Sequence, residues 1–429
     1  MNDEKEFLST PVPMKERRSF TSVGFVWVGW CISVSAFLTG GNIAKGSSFS
    51  QTVFSILLAN LILAVIGTLC GLVGYRTGLT TYSAMKMIFG RKGSTIVNVV
   101  NGISLMSFIG VLMASFATYL KQLYPSFPST LALILFACCI TLSSINGMKG
   151  LSILSNIAAP LLWALLALCL VLTLVNHGGF APVLAWVPEQ GNEISFMAAM
   201  SLAIATWVGG AGKTADLTRF SKKKSHIVGG AILGYIAGSG LFELIAAICA
   251  ISSGESNIVI VMARFGLIIP AVIILTLALW TTTDNNIYSA SLAFGDMSEI
   301  LGLKIPRKVW VVVNVLIALV VSMTGVASDF SSFLSFFGTI AGPFAGIMLA
   351  HFYLVCRPGA KKYFVPENFS VPGFVGWILS FALSNVLHFN TFYAVISGIV
   401  IYFLSAMLFN KVIKLQQKGV EFEIPEVEQ

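Results

Sequence analysis

The sequence predicts an all-α polytopic membrane protein with twelve transmembrane helices. Of its 429 residues, 56% are hydrophobic and 10% are charged, whereas a soluble protein carries about 25% charged residues. Apolar runs of roughly twenty residues, the length that crosses a bilayer as a helix, recur along the chain. The basic residues collect in alternate loops between these runs. No polar stretch is long enough for a second domain, so we expect one compact unit.

The predicted spans follow one another with mostly short connections. Because their number is even, both termini are expected on the same side of the membrane. The spans are predicted at 22–45, 52–75, 95–120, 128–147, 153–176, 196–218, 227–251, 266–291, 309–326, 330–354, 370–388 and 390–409.

The distribution of lysine and arginine predicts which side holds the termini. Basic residues in short loops mark the cytoplasmic side. The opposite side has only Lys45, Lys121 and Arg264, and Lys213 falls within a span. We therefore expect a multi-pass protein of the cytoplasmic (inner) membrane with both termini inside. The cytoplasmic set is Lys5, Lys15, Arg17, Arg18, Arg76, Lys86, Arg91, Lys92, Lys149, Arg219, Lys222, Lys223, Lys224, Lys304, Arg307, Lys308, Arg357, Lys361, Lys362, Lys411, Lys414 and Lys418.

Composition and motifs exclude several functional classes. The net charge of +8 follows the loop topology and does not indicate a nucleic-acid-binding face. The seven cysteines are an odd number without a CxxC pair, which predicts free thiols and no metal centre. The N-terminus MNDEKEFLSTPVPMKERRS is too charged for a cleaved signal peptide. Walker A, nucleophile-elbow and HExxH motifs do not occur, so we expect neither an enzyme nor an ATP-driven pump, and no cofactor.

Two of the predicted spans are interrupted. In the first, small and polar residues occupy positions 33–42 and include Gly40–Gly41; in the sixth, Gly209–Gly210 precede Lys213 and Asp216. Glycine readily leaves the helical conformation, and an unpaired backbone group or a charge in hydrocarbon is costly. Such breaks are tolerated where they line a protected cavity, which predicts a transport site between the two spans. The alternative is that the glycines permit close helix packing.

The two breaks lie five spans apart, which is typical of an inverted repeat. The expected parts are a cytoplasmic arm at 1–19, a transporter domain at 20–409 made of repeat one (20–176), repeat two (196–354) and two extra helices (370–409), and a cytoplasmic tail at 410–429.

The eighth span carries a polar cluster. Thr281–Thr283 provide hydroxyl groups, and Asp284 and Asn285 follow directly. Hydroxyls inside the membrane, together with carbonyls of an unwound helix, are hard ligands for a small cation. The alternative is that each threonine bonds back to a carbonyl of its own helix. For Asp284 and Asn285, the sequence is equally compatible with ligand binding and with a role in gating or helix capping.

Ionisable and aromatic residues inside the spans are further candidates. Lys213 and Asp216 would share a face of a regular helix and neutralise each other; alternatively, Lys213 meets an anionic group of a substrate or displaces a coupling cation. Glu243 is either a proton acceptor or a buried, hydrogen-bonded carboxyl. Trp207, directly before the sixth-span break, offers a face on which a flat ligand could stack.

Motifs from the N-terminal arm to the eighth span form a specific set. Together they resemble the cytosine permeases of the nucleobase–cation symporter family, and the last four spans match more loosely. The motifs are Pro11-Val12-Pro13, Thr39-Gly40-Gly41, Thr77-Gly78-Leu79-Thr80-Thr81, Phe89-Gly90, Lys92-Gly93-Ser94, Thr214-Ala215-Asp216, Arg219-Phe220, Trp280-Thr281-Thr282, Asp284-Asn285 and Tyr288.

The resemblance implies a 5+5 inverted repeat of the amino acid–polyamine–cation type plus two C-terminal helices. It implies alternating access as a sodium or proton symporter. A sodium ion would lie between spans 1 and 8. In the family, an asparagine of span 8 provides an oxygen ligand and recognises the base; Ala278 replaces it in this sequence. The implied sodium ligands are the carbonyls of Gly29 and Ile32 and the hydroxyls of Thr281 and Thr282.

The implied substrate positions depart from the cytosine permease pattern. A stacking tryptophan is replaced by Ser107, and a leucine by Lys213. A site that loses matched hydrogen-bond partners loses binding free energy, so cytosine itself is not expected. Another nucleobase, a related heterocycle such as a vitamin precursor, or an acidic compound remains open. The implied substrate residues are Ser107, Phe108, Thr206, Trp207, Gly209, Ala278 and Asn285.

We therefore expect a secondary active symporter that imports a nucleobase or related small heterocycle, driven by sodium (Na⁺) or protons. It is expected to act as a monomer in the lipid bilayer, with no nucleic-acid partner. Two alternatives stay open. One is an amino-acid or amine carrier on the same scaffold, in which Lys213 replaces a coupling cation; the other is a membrane receptor that binds a solute without transporting it.

Overall fold

The structure is a computed structural model that describes residues 7–324, 330–356, 360–388, 390–413 and 418–425. Lys5, Arg357 and Lys414, which belong to the predicted cytoplasmic set, lie outside the described residues. Helices dominate the described chain, as predicted, and one two-stranded antiparallel sheet accompanies them.

Eighteen α-helices lie along the described residues, and each predicted span coincides there with one helix or with consecutive helices. The helices are α1 (Phe20–Cys31), α2 (Val34–Gly46), α3 (Phe49–Thr77), α4 (Thr81–Phe89), α5 (Arg91–Leu123), α6 (Ser129–Ile145), α7 (Gly147–Asn176), α8 (Ala181–Leu184), α9 (Phe196–Ala211), α10 (Ala215–Thr218), α11 (Lys224–Ala231), α12 (Leu241–Ser253), α13 (Ile258–Arg264), α14 (Ile268–Ile300), α15 (Arg307–Ser322), α16 (Phe330–Leu349), α17 (Val371–Val386) and α18 (Thr391–Ile413). Wider π-helical turns at Ile232–Gly240 and Ala350–Val355 join α11 to α12 and extend α16.

Length and hydropathy divide these helices into groups. Seven helical stretches of the described chain are long and apolar enough to cross a membrane: α3, α5, α7, α14, Lys224–Ser253, Ser332–Val355 and Thr391–Phe409. The pair α1 and α2 meets the same test only jointly and is bent by 47°. Helices α6 and α17 are apolar but shorter. The count of twelve spans therefore stays a prediction.

Helix α14 forms the centre of the bundle. It contacts α1, α4, α5, α6, α7 and α15, and every residue from Thr281 to Asp296 is buried. A helix enclosed on all sides has no lipid-facing stripe, so polar residues on it must find partners on neighbouring helices. On the outside of the bundle, Leu142, Val175 and Leu408 are exposed, as a surface in contact with lipid tails requires.

The first span is broken, but not at the predicted glycines. Helices α1 and α2 meet at Ile32–Ser33, where the backbone is extended. Gly40 and Gly41 lie within α2, and the prediction that they unwind is wrong. A Cβ at Gly40 would lie 2.0 Å from the carbonyl oxygen of Glu243, and one at Gly41 would lie 2.6 Å from Ser256. Close packing against the seventh span, the alternative interpretation, accounts for both glycines.

The sixth span is broken just after the predicted position. Helix α9 continues through Gly209 and Gly210 to Ala211, and the turn at 212–214 separates it from α10. A Cβ at Gly209 would lie 2.8 Å from the ring of Phe337, so this glycine lets α16 approach α9. The prediction of a broken sixth span is confirmed, and its exact glycines are corrected.

The described parts of the predicted arm and tail are bonded to other segments of the chain. The Val12 amide donates to the Gly78 carbonyl at 2.9 Å, and Arg18 pairs with Ser221 in a β-bridge. Strand β1 (Lys362–Pro366) pairs antiparallel with strand β2 (Gly419–Glu423). The arm, the α3–α4 connection and the α10–α11 connection therefore lie on one face of the molecule.

Substitution of Gly40 by alanine tests the close packing of α2 on α12. The added methyl group meets the Glu243 carbonyl oxygen at 2.0 Å, so the two helices must move apart. Overpacking of this kind costs about 1–3 kcal/mol, and we expect a lower midpoint of thermal unfolding for the purified Gly40→Ala variant.

The control is Gly24→Ala in α1, where the nearest atoms belong to the flexible Phe20 ring at 3.2 Å. We expect this variant to unfold close to the parent protein. Equal midpoints for Gly40→Ala and Gly24→Ala would contradict the packing.

Candidate functional site

The break in the first span brings the end of α1 against the middle of α14. Because α1 ends at Cys31, carbonyls of its last turn lack helical partners, and the helix dipole concentrates negative charge there. The Thr282 hydroxyl donates to one of these carbonyls, that of Trp30, at 3.3 Å. A hydroxyl and freed carbonyls in one buried location are oxygen ligands that suit a small cation.

The predicted cation ligands lie around this contact, with one exception in orientation. Gly29 and Ile32 are buried at the end of α1. Thr282 faces α1, whereas the Thr281 hydroxyl donates to a carbonyl of its own helix one turn earlier, at 2.9 Å. Thr281 therefore adopts the arrangement that we gave as the alternative for threonines in this span.

Trp207 joins the two broken spans. Its ring packs edge-on against Trp30, with centroids 6.0 Å apart and an interplanar angle of 81°. Trp207 is 2% exposed, and its indole nitrogen has no hydrogen-bond partner among the described residues. The neighbouring Thr206 hydroxyl lies 3.0 Å from that of Thr39 in α2. Both contacts connect α9 to the first span, inside the bundle and away from lipid.

Four further predicted substrate residues lie on α5 and α14. Phe108 stacks on Phe337 of α16 with centroids 5.2 Å apart, and the Ser107 hydroxyl bonds to a carbonyl one turn earlier at 3.1 Å. Ala278 is fully buried. The Asn285 amide nitrogen bonds back along α14 at 2.9 Å, and its buried oxygen has no partner in the described part of the chain. The assignment of these residues to a substrate stays a prediction.

A small cavity of about 20 Å³ lies between α4, α5, α9 and α16. One water molecule needs roughly 10–15 Å³ of such space, so a heterocyclic ring does not fit without movement of these helices. Of the predicted substrate residues, Gly209 lines the cavity. Its polar and aromatic wall includes Tyr82, Asn101, Ser104, Lys213, Phe337 and Phe344.

The charges of Lys213 and Asp216 attract each other through space, without the direct contact of an ion pair among the described residues. The Asp216 carboxylate accepts hydrogen bonds from the Thr81 amide (2.8 Å) and the Ser289 hydroxyl (2.9 Å). Among the ion pairs of the described residues, none joins it to Lys213. The prediction assumed a regular helix, and the turn at 212–214 places the two side chains in different surroundings.

Sequence reasoning missed a polar stripe on α5. Asn98, Asn101, Ser104 and Ser107 recur every third residue, so each lies next to the following one on the helix surface and the stripe winds gradually around the helix. Asn101 and Ser104 line the cavity, and the Asn98 amide donates to Asp296 of α14 at 2.9 Å. Their regular spacing within an otherwise apolar span is the signal in the sequence that identifies them.

A charged contact holds α4 against α14 next to this stripe. The Lys86 ammonium lies 2.6 Å from the Asp296 carboxylate, whose side chain is fully buried. The Ser83 hydroxyl donates to the same carboxylate at 2.6 Å. A buried charge is tolerated when a counter-ion and hydrogen bonds surround it, so α4 is fastened to α5 and α14 by one group.

Two other buried carboxyl groups connect helices. Glu243 of α12 accepts from the Asn60 amide (2.8 Å) and the Ser239 hydroxyl (3.2 Å), which fits the structural interpretation as well as the proton-acceptor one. Asp284 accepts from Ser143 of α6 at 2.8 Å. Asp284 therefore ties α14 to α6 and does not face the end of α1.

The sequence profile of a permease family matches residues 11–407. Its description is "Permease for cytosine/purines, uracil, thiamine, allantoin". The chain belongs to this family. It is a membrane permease and not an enzyme, and both the predicted resemblance and the predicted lack of enzymatic activity are confirmed.

A curated relative and two solved structures extend this finding. The chain is 27% identical over 384 residues to the cytosine permease of Escherichia coli (strain K12), which covers 90% of this chain and 88% of the relative. Mhp1, a nucleobase-cation-symport-1 family transporter in a closed conformation with bromovinylhydantoin bound, superposes with a TM-score of 0.81 at 17% identity, covering 94% of this chain and 95% of Mhp1.

The substrate-bound outward-open state of a Na⁺-coupled sialic acid symporter superposes with a TM-score of 0.70 at 14% identity, covering 95% of this chain and 92% of that one. The chain therefore has the fold of these transporters. Membership of a permease family favours the transport hypothesis over the alternative of a non-transporting receptor.

Substitution of Asp216 by asparagine tests the role of this carboxylate as a helix tie. The carboxylate accepts from the Thr81 amide and the Ser289 hydroxyl. In the asparagine variant the amide oxygen can keep the Thr81 bond and the Ser289 hydroxyl can turn to accept from the NH₂ group, but both bonds lose their charged acceptor. A hydrogen bond to a charged group contributes about 1.5–3 kcal/mol and a neutral one about 0.5–1.5 kcal/mol. We expect a clearly lower midpoint of thermal unfolding.

Ser289→Ala provides the comparison, because it removes one donor and leaves the carboxylate with the Thr81 amide. Its expected cost is about 0.5–1.5 kcal/mol. If Asp216→Asn proved no more destabilising than Ser289→Ala, the two-donor role of Asp216 would be refuted.

Proposed function

We propose that this permease is a sodium-coupled symporter that imports a nucleobase or related small heterocycle by alternating access. The observation that carries the proposal is the contact between Thr282 and the freed Trp30 carbonyl at the end of α1. A cation that binds at this contact would be coordinated by both α1 and α14 and would hold the two helices together while it is bound. Cation binding thereby favours one conformation of the protein over another.

The class of solute rests on family membership and on the chemistry near the breaks. The family description names cytosine/purines, uracil, thiamine and allantoin, all nitrogen-rich compounds. Trp30, Trp207 and Phe108 offer aromatic faces to a flat ring. The base-recognition residues of cytosine permeases are largely replaced, which favours a heterocycle other than cytosine.

The proposed architecture has twelve spans in a 5+5 inverted repeat. Repeat one covers 20–176, repeat two covers 196–354, and the helices at 370–409 are additions to the core. The positions of the two breaks and the likeness to Mhp1 over 94% of the chain support this arrangement. The contacts of the arm with the α3–α4 and α10–α11 connections support a common, cytoplasmic face for these basic segments in the inner membrane. A single chain contains every proposed ligand, so a monomer suffices.

In the proposed cycle, the sodium ion and the solute bind together before the site closes, and their joint binding lowers the free energy of the closed state. The cavity of about 20 Å³ is smaller than a heterocyclic ring. For the solute to enter it, helices α4, α5, α9 and α16 must move apart. The Lys86–Asp296 contact lies beside this cavity and would have to loosen in the same step.

Uptake into proteoliposomes tests the proposed function directly. With the purified full-length chain and an inward sodium gradient, we expect accumulation of at least one labelled compound from a panel of cytosine, uracil, hypoxanthine, urate, allantoin and hydantoin. Liposomes without protein are the control, and the same vesicles with potassium replacing sodium should show little accumulation.

Binding without accumulation would refute transport and favour a receptor. Accumulation of amino acids in place of heterocycles would refute the solute class. Sodium-independent accumulation that follows a proton gradient and is lost in Glu243→Gln would replace sodium by protons as the coupling ion.

Thr282→Val tests the sodium ligand. The substitution removes the hydroxyl that meets the end of α1 and keeps the side chain branched. Loss of an oxygen ligand to an ion is expected to raise the sodium concentration for half-maximal uptake at least about tenfold, with little change in thermal stability.

Thr283→Val, the same substitution one residue along, is the matched control, because the Thr283 hydroxyl makes no hydrogen bond among the described residues. Its sodium dependence should equal that of the parent protein. Identical behaviour of the two variants would exclude Thr282 as a ligand.

A further inference from the structure

Lys213 is a buried charge facing a cavity. Lys213 lies within the turn that breaks the sixth span, is 7% exposed, and forms part of the wall between α4, α5, α9 and α16. Within the described ranges, it takes part in no hydrogen bond and no ion pair. The other buried charges near α14 all have partners: Asp216, Arg219, Asp284 and Asp296.

Asp216 attracts the charge of Lys213 through space, but no hydrogen bond or ion pair joins the two side chains among the described residues. No carboxylate lines the cavity among the described residues. The nearest acid in the sequence, Asp216, directs its two oxygens to the Thr81 amide and the Ser289 hydroxyl. Arg219, two turns of chain further on, is also buried and bonds to Tyr288 and to the Phe7 carbonyl. The segment that contains the break therefore holds two positive charges and one negative charge.

A buried ammonium group without a hydrogen-bonded counter-ion is unfavourable, because an opposite charge at a distance offsets only part of its lost hydration. Such a group persists where an anion binds during the working cycle, and in membrane carriers it marks the path of the solute. We propose that the transported heterocycle carries a negative charge and that Lys213 binds its anionic group. This inference rests on the proposed function and narrows its substrate class.

The rest of the cavity wall suits a flat anionic ring. Tyr82, Phe337 and Phe344 provide aromatic surface, and Asn101 and Ser104 provide polar groups at the edge. Lys213 is the one charged residue on the wall in the part of the chain that the structure describes. The charge can reside on a carboxylate substituent or on the ionised ring itself, since an ammonium group is a point charge that recognises either.

The experiment compares probes of similar shape and different charge on the purified full-length protein. The probes are uracil (neutral), orotate (a ring carboxylate), the methyl ester of orotate (the same shape without the charge) and barbiturate (a ring that ionises at neutral pH). Dissociation constants are measured by calorimetry and by the shift in thermal unfolding. The variants are Lys213→Met, Lys213→Arg and, as matched control, Lys121→Met at an exposed lysine of α5.

We expect orotate, barbiturate or both to bind the parent protein at least about tenfold more tightly than uracil and the methyl ester, because charge-assisted hydrogen bonds are the stronger ones. Lys213→Met should abolish this preference, Lys213→Arg should keep most of it, and Lys121→Met should leave it unchanged. Without any probe, Lys213→Met should unfold at a higher temperature than the parent protein, because a buried charge without a hydrogen-bonded counter-ion has been removed.

The preference of the parent protein for orotate over barbiturate, or the reverse, identifies the carboxylate or the ionised ring as the recognised group. Equal binding of orotate and its methyl ester, together with weak binding of barbiturate, would overturn the inference. Retention of the anion preference in Lys213→Met would overturn it as well. If neutral nucleobases accumulate while no anionic probe binds, the inference fails and the proposed function stands; if no heterocycle of either charge accumulates, both fail.

Discussion

The structure depends on the requirement that backbone groups inside a bilayer find partners within the protein. Water is missing from the hydrocarbon region, so a helix can stop there only where other groups meet its unpaired carbonyls and amides. The end of α1 meets this condition. The Trp30 carbonyl receives the Thr282 hydroxyl, and Ser33 caps the first turn of α2 with its side chain. The helices around the break protect it from lipid, and the carbonyls that remain are the groups that a cation can use.

Helix α14 provides most of the groups that meet these conditions, and each one reaches a different neighbour. Thr282 reaches α1, Asp284 reaches α6, Ser289 reaches Asp216 of α10, and Asp296 reaches α4 and α5. Because the helix is enclosed over this whole stretch, none of these groups can be exchanged for water without a movement of helices. A conformational change of the permease therefore has to break and remake polar contacts of α14, and these contacts define discrete states.

Among the described residues, Lys213 differs from the other buried charges near α14, because its surroundings provide aromatic surface but no directly bonded counter-ion. The turn at 212–214 is the cause. It directs Asp216 towards Thr81 and Ser289, and it leaves Lys213 facing the cavity between α9 and α16. Because no contacting group in the described part of the chain neutralises this charge, the cavity is electropositive. Its electrostatic potential restricts which solutes bind there.

The sequence by itself determined the helical membrane class, the permease family and the existence of breaks in the first and sixth spans, because apolar length, motif residues and clusters of glycine are local properties of the chain. It also contained the every-third-residue stripe of α5. The tertiary structure decided where the breaks lie and what the ionisable residues meet. Gly40 stays helical because α12 fills the space beside it, and Thr281 bonds to its own helix while Thr282 reaches α1. Helical periodicity alone predicts that Lys213 and Asp216 meet on one face. In the structure, Lys213 lies within the turn at 212–214, where the Thr214 hydroxyl bonds to the Gly67 carbonyl of α3, and Asp216 bonds to Thr81 and Ser289 instead of Lys213.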